Sequence, residues 1–412
     1  IIYRATGQSL LIKSPEVIQA VKETNFNPAV QFSKFGVMRL AEIFNRFKPL
    51  FLAFKKHCPA VINRISRLSK IHHKPMVANP LNLATRTVLR DSHIHWLDNA
   101  TPFALFKAMT ACYNRMNRQS DFVYRIRNGK SWITSKEYLS QEGFVPAKNF
   151  VALYEYIKAR FPLGGIKVYF PGDVEYALPT SEKMFVGNIP TGTKFLGDRL
   201  AAGVYWENNW GANDIDLSAM NAGGEKIGWD ASYRDASLTY SGDITSAPNG
   251  AVEYLHVDKG LRLPQLVMSN VYSGDANCGY KIIIGRGDSV TKKYMMNPNN
   301  LFMEVRCESV QKQTILGILL PGSPQGFVLL NFGAGHARVS GSSPQTAISA
   351  LVQQWSKSIS FNQMLIDMGA DIVKSPEHAN IDYSLDKLNK DSFTQVFSPR
   401  TAASLANGNG KP

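Results

Sequence analysis

The run Asp214-Ile215-Asp216-Leu217-Ser218 constrains this chain more than any other. Side chains alternate across a β-strand, so Ile215 and Leu217 belong to a core while Asp214, Asp216 and Ser218 line up on the other face. Carboxylates two residues apart on one strand face make an oxygen-only donor set, which suits a hard cation such as calcium. A second acidic cluster follows in Ser241-Gly242-Asp243, Glu253 and Asp258, with Asp230 and Asp235 between the two. Trp206, Trp210 and Trp229 supply bulk for a core around them. These acids also have a plainer reading, since aspartates cap turns and form Asx motifs.

Short strand-like segments punctuated by glycine and proline continue to about residue 342 and point to an antiparallel β-sandwich. Segments 166–170, 175–178 and 183–186 come first, and 267–272, 280–284, 303–307 and 325–332 are the later strands. The pair Gly164-Gly165 marks a domain boundary ahead of them. Gly285-Arg286-Gly287-Asp288 lacks the Lys-Ser/Thr and the helix of a phosphate loop and reads as a turn.

Ahead of the boundary the chain is helical and basic. Ser14-Pro15-Glu16 is a helix start, with Ser as N-cap and Pro at the first helical position. Apolar residues at three- and four-residue spacing predict helices over 35–56, 59–71, 102–116 and 150–160. Alternation on both sides of Asn128-Gly129 predicts a β-hairpin over 122–134. Between Glu42 and Asp91 there is no acidic residue, yet Arg46, Lys55, Lys56, Arg64, Arg67, Lys70 and Lys74 fall there, in a chain of net charge +14. Such a segment could bind nucleic acid or another anionic partner, or form a solvated basic face. It lacks tandem aromatics that stack bases, which argues against sequence-specific RNA reading.

After residue 342 a helix is expected over 344–368, broken near Ser358-Ile359-Ser360. An extended segment with a turn follows, and then a final helix over 390–397. The fold class is therefore α+β: a basic, mainly helical region with a hairpin (1–165), an antiparallel sandwich (166–342) and a helical tail (343–412). With 44% hydrophobic and 19% charged residues, the 412-residue chain is that of an ordered protein. The sequence shows no apolar run long enough to span a membrane.

Cys58, Cys112, Cys278 and Cys307 form no Cys-x-x-Cys pair and read as free thiols of a reducing compartment. His72-His73 and His93-Ile94-His95 have no partners at zinc-ligand spacing. No nucleophile elbow, His-Glu-x-x-His or similar constellation supports catalysis, so the chain is expected not to be an enzyme. The first residue is Ile1, which implies a processed or trimmed product.

Several motifs together resemble the TerD family, the calcium-binding β-sandwich of bacterial tellurite-resistance and stress proteins. They are Gly203-Val204-Tyr205-Trp206, the Asp-x-Asp-Leu-Ser-Ala run at 214–219, Ser241-Gly242-Asp243, and Glu253 through Asp258. Met184-Phe185-Val186-Gly187-Asn188-Ile189-Pro190 looks like that family's opening strands. The resemblance covers about 176–342. It implies paired calcium ions at one end of a sandwich, with Asp214, Asp216, Asp243 and Glu253 as ligands. It also implies a cytoplasmic, calcium-modulated binding or assembly protein with protein partners or self-assembly. The chain differs from the family after Ser-Gly-Asp, where Ile244-Thr245-Ser246-Ala247 replaces an acid-rich loop and implies fewer ligands. The competing expectations are a structural subunit of a larger particle, such as a phage virion, and a nonspecific nucleic-acid-binding protein.

Overall fold

The structure is a computed structural model. It describes residues 84–397 apart from 86, 91–92, 126–130, 136–142, 276–277, 288–295, 309–311 and 334–343, together with 59–72 and the single residues 34, 52, 55 and 81. Contacts divide the chain into two compact units, residues 1–80 and 81–412.

In the first unit, helix α1 spans Pro59–His72. Its predicted apolar stripe includes Ile62, which is fully buried, while Asn63, Arg64 and Arg67 are exposed. The helix start at 14–16 lies outside the described residues, as does the helix predicted over 35–56 apart from Leu52 and Lys55.

The second unit opens with helices α2 (Ile94–Asp98) and α3 (Pro102–Met116). Thr101 caps α3 by accepting a hydrogen bond from the Ala104 N–H at 3.4 Å, and Pro102 takes the first position. Strand β1 (Asp121–Arg125) pairs antiparallel with β2 (Ser131–Ser135), as the Asn-Gly signal predicts, and the turn lies outside the described residues. Helix α4 spans Phe144–Arg160 and starts six residues before the predicted 150. Its first turn carries Pro146, whose missing N–H costs nothing where helix donors have no internal partner.

The strands that follow are β3 (Lys167–Tyr169), β4 (Val174–Glu175), β5 (Phe185–Val186), β6 (Ile189–Pro190), β7 (Lys194–Gly197) and β8 (Leu200–Trp206). Next come β9 (Ala212–Asn221), β10 (Lys226–Gly228), β11 (Leu238–Tyr240), β12 (Ala251–Val257) and β13 (Gln265–Gly274). The series continues with β14 (Gly279–Arg286), β15 (Leu301–Glu308), β16 (Gln313–Leu320) and β17 (Gln325–Gly333). Two sheets hold most of them. The larger has the order β10-β9-β13-β16-β17-β7-β4 and the smaller β11-β12-β8-β14-β15, with antiparallel pairing throughout.

Both sheets contribute to one core, with Ile215, Leu217 and Val267 from the larger and Val204, Trp206 and Ile282 from the smaller. The outer face of the larger sheet is apolar as well at Leu266, Ile318, Val328 and Leu330, and helix α5 (Pro344–Trp355) covers it together with Val123 of the hairpin. Burial on both faces explains why β16 and β17 are near-continuous apolar runs. It also explains why β16 was not anticipated, since such a strand has no alternation to detect.

The tail is part of the same unit. The helix predicted over 344–368 is two helices, α5 and α6 (Phe361–Asp367), and the break near Ser358-Ile359-Ser360 falls where the sequence places it. Ser360 caps α6 by accepting from the Gln363 N–H at 3.2 Å, while the Leu178 N–H donates to the Ile359 carbonyl at 3.0 Å. The extended segment after α6 supplies β18 (Asp371–Ile372) and β19 (Ile381–Asp382), which flank β3 in a parallel sheet. The final helix over 390–397 is instead two 3-10 turns, Lys390–Phe393 and Gln395–Phe397. Asn389 and Ser392 cap the first reciprocally, and the turns aim Phe393 and Phe397 at Phe361. Gly164-Gly165 lies inside this unit, next to Leu163, whose N–H donates to the Met368 carbonyl at 2.8 Å.

Phe361 is fully buried among Tyr383, Phe393 and Phe397. Phe361→Ala is expected to cost about 3–5 kcal/mol, read as a lower urea midpoint.

Candidate metal centre

Strand β9 places its residues as its alternation requires, with Ile215 and Leu217 in the core between the sheets. Asp214 and Asp216 are nonetheless 5% and 2% exposed, because the loop after β11 closes over them. That loop is pinned to β12: the Ser241 N–H donates to the Tyr254 carbonyl and the Tyr254 N–H donates to Ser241 Oγ, both at 2.9 Å. Gly242 then takes φ +114°, a conformation that a side chain disfavours, and the chain turns to present Asp243. One carboxylate oxygen from each of Asp214, Asp216 and Asp243 lies within 4.8 Å of the others. Asp243 is exposed, so the cluster opens to solvent on its side.

The electrostatics of the cluster are compatible with a bound cation. Asp214 Oδ1 is buried with no hydrogen-bond partner among the described residues. Asp216 Oδ2 accepts from Asn270 Nδ2 at 3.3 Å. Burial raises the Asp214 carboxyl above its usual range, and the charge of Asp243 adds to this. Asp216 is pushed up to about 7, chiefly by burial and then by Asp214. Carboxylates desolvated and crowded in this way are relieved by protonation or by a metal ion. The three residues could hold a metal ion, and the all-oxygen donor set is the one hard cations use.

Glu253, the fourth predicted ligand, borders this cluster without belonging to it and is otherwise engaged. It is fully buried, and its carboxylate accepts from the Leu217 N–H at 2.8 Å, the Ile244 N–H at 2.9 Å and the Tyr240 hydroxyl. It thereby ties β9 of the larger sheet to β11 and to the loop that carries Asp243. Burial pushes its pKa up to about 8, against the pull of its three donors. Asp230 is exposed and paired with Lys226 at 2.5 Å. Asp235 caps a turn, accepting from the Ser237 and Leu238 N–H groups at 2.6 and 2.7 Å. Asn270 was missed by sequence reasoning. It lies opposite Asp216 in the β13–β9 register, and nothing in the sequence gives that pairing.

The other candidates are dispersed. Lys55, Arg64 and Arg67 are exposed in the first unit, Lys70 lies in α1, and Arg46, Lys56 and Lys74 are outside the described residues. His93 Nδ1 accepts from the Arg90 N–H at 2.9 Å and its ring packs on Trp96. His256 and Asp258 form a histidine–carboxylate pair of the kind catalysis employs, but His256 is fully buried with both ring nitrogens engaged. Nδ1 meets Asp258 Oδ1 at 2.9 Å and Nε2 meets the Gly287 carbonyl at 3.1 Å. Gly287 is required there, since a Cβ would overlap the His256 ring. The tetrapeptide predicted as a turn begins as strand, because Gly285 and Arg286 end β14. Cys112, Cys278 and Cys307 are buried and not in disulfides, and burial pushes Cys112 and Cys278 up to about 11.

Comparison with protein-family models, curated proteins and solved structures finds no match for this chain. Among the described residues, no helix is long and apolar enough to cross a membrane.

Two outcomes follow from these contacts. Asp216 and Glu253 titrate higher in the folded chain than in the unfolded one, so the folded state binds more protons between about pH 4 and about pH 8. In chelator, unfolding free energy should therefore fall as pH rises through that window, and Asp216→Asn should flatten the slope. Glu253→Ala leaves two backbone N–H groups and the Tyr240 hydroxyl without their acceptor. Denaturant unfolding should show a loss of about 1–3 kcal/mol or more, each buried orphan contributing on that scale.

Proposed function

We propose that this chain is a non-enzymatic, TerD-like binding and assembly protein whose sandwich is modulated by calcium. The observation that carries the reading is the buried, unpartnered Oδ1 of Asp214 inside a three-carboxylate cluster. A separation within 4.8 Å is no wider than two calcium–oxygen bonds of about 2.4 Å laid end to end. Calcium tolerates the irregular cage that three aspartates, backbone oxygens and water would provide, whereas magnesium demands a near-ideal octahedron. An ion there would join β9 to the loop after β11 and stiffen the end of the sandwich where Glu253 already ties the two sheets. The stress-response role implied by the TerD resemblance belongs to the same proposal. Histidine–carboxylate geometry does not compete with it, because both nitrogens of His256 are occupied within the fold.

Thermal unfolding in calcium and then in excess EGTA tests the reading, with Asp216→Ala alongside. Calcium at about a hundred times its dissociation constant should stabilise the folded chain by about 2.7 kcal/mol. The variant should lose that response. No shift in the parent chain would sink the calcium reading. A chelator-indifferent oligomer by light scattering would then favour a structural block of a larger particle. Salt-sensitive binding of random DNA would favour the basic stretch around Arg64 and Arg67.

A further inference from the structure

The outer face of the larger sheet is roofed over one part and open over another. Helix α5 and the hairpin cover Ile318, Val328 and Leu330. Over β9, β10, β13 and the start of β16 a recess of about 420 Å³, counting its solvent-open mouth, remains. Its floor is polar. The Ser218 hydroxyl and the Gln313 amide share this outer face with Met268 and Asn270, whereas Ser269 and Thr314, paired with each other and in register with Leu217, contribute backbone to the recess and turn their side chains to the inner core. Trp229 forms a wall, half-buried and with its indole N–H unpartnered among the described residues. Tyr272, 63% exposed, extends that wall with its ring centroid 5.9 Å from that of Trp229. Lys226 and Asp230 close the other side as an ion pair at 2.5 Å.

This inventory selects a class of ligand. The ion pair makes the recess close to neutral, and the nearby Asp216 disfavours an anion. A wholly apolar ligand would strip water from the Ser218 hydroxyl, the Gln313 amide and the Trp229 indole N–H and give nothing in return. A sugar ring satisfies both halves. Its hydroxyls exchange hydrogen bonds with the floor, while its C–H face, slightly positive, lies on the negative face of an aromatic ring. We propose that this recess binds a neutral saccharide unit, stacked on Trp229 and Tyr272 and held by Gln313 and Ser218. Asn270 joins the recess to the acidic cluster, lining the one and donating to Asp216 in the other. The inference rests on the recess and stands apart from the calcium reading.

The test is titration of the full chain, in calcium buffer, with a panel of neutral trisaccharides built from glucose, mannose, galactose and N-acetylglucosamine. Heat and tryptophan emission are the readouts. Saturable binding by at least one of them is expected, with a change in emission. Tyr272→Ala and Gln313→Ala lie at exposed positions and should weaken that binding tenfold or more with melting temperature unchanged. Absence of saturable binding across the panel at millimolar sugar would overturn the proposal, as would binding indifferent to both variants. Repeating the titration in EGTA separates the two readings. Variant-sensitive binding that persists there supports the recess even where the calcium reading fails. A calcium-dependent melting shift without sugar binding overturns the recess alone.

Discussion

The buried carboxyl group of Glu253 governs the arrangement at the acidic end of this sandwich. A carboxyl group in that position is costly unless it is well bonded, and here two backbone N–H groups and a tyrosine hydroxyl converge on it. The donors come from β9, from β11 and from the loop after Ser241, so a single side chain fixes three segments relative to one another. The acids above it depend on that fixation. Asp243 is held near Asp214 and Asp216 because its loop is anchored at Ile244 by Glu253 and at Ser241 by Tyr254. The loop thereby gathers like charges in a partly desolvated place, a costly arrangement for a chain without a cation and a useful one for a chain that binds it.

A second constraint acts on the far side of the larger sheet. A sheet that is apolar on both faces has to be covered twice, and the chain does so with elements far apart in sequence. The smaller sheet takes the inner face, and α5 with the hairpin takes part of the outer one. Gln354 locks that roof, its Oε1 accepting from the Val123 N–H at 2.7 Å and its Nε2 donating to the Val123 carbonyl at 3.1 Å. The roof does not reach β9 and β10. There the outer face turns more polar, with Ser218, Asn270 and Gln313 beside Met268, and the recess beside Trp229 is what remains. The acidic cluster and the recess are neighbours because one strand, β9, supplies residues to each.

Local patterns therefore fixed a good deal. The α3 and α1 helices are legible from the spacing of Phe106, Met109 and Ile62, the hairpin from alternation about Asn128-Gly129, and the Asp214–Asp216 pair from a two-residue period. Each depends on neighbours in the chain, and local geometry suffices to read it. Where burial erased the period, as in β16, or where capping favoured tight turns over a helix, as at Asn389 and Ser392, the local signal failed. Tertiary structure alone decided which acids meet. Glu253 and Asp243 are both carboxylates near Ser-Gly-Asp, and the sequence treats them alike. The strand pairing of β12 with β8 and the path of the β11 loop bury one as a brace and leave the other open as a candidate ligand. The same holds for Asn270 and for the Trp229 recess, whose members come together through the β9–β13–β16 register. Residue type sets what a side chain can bond, but long-range pairing sets what it finds to bond with, and no local period encodes that.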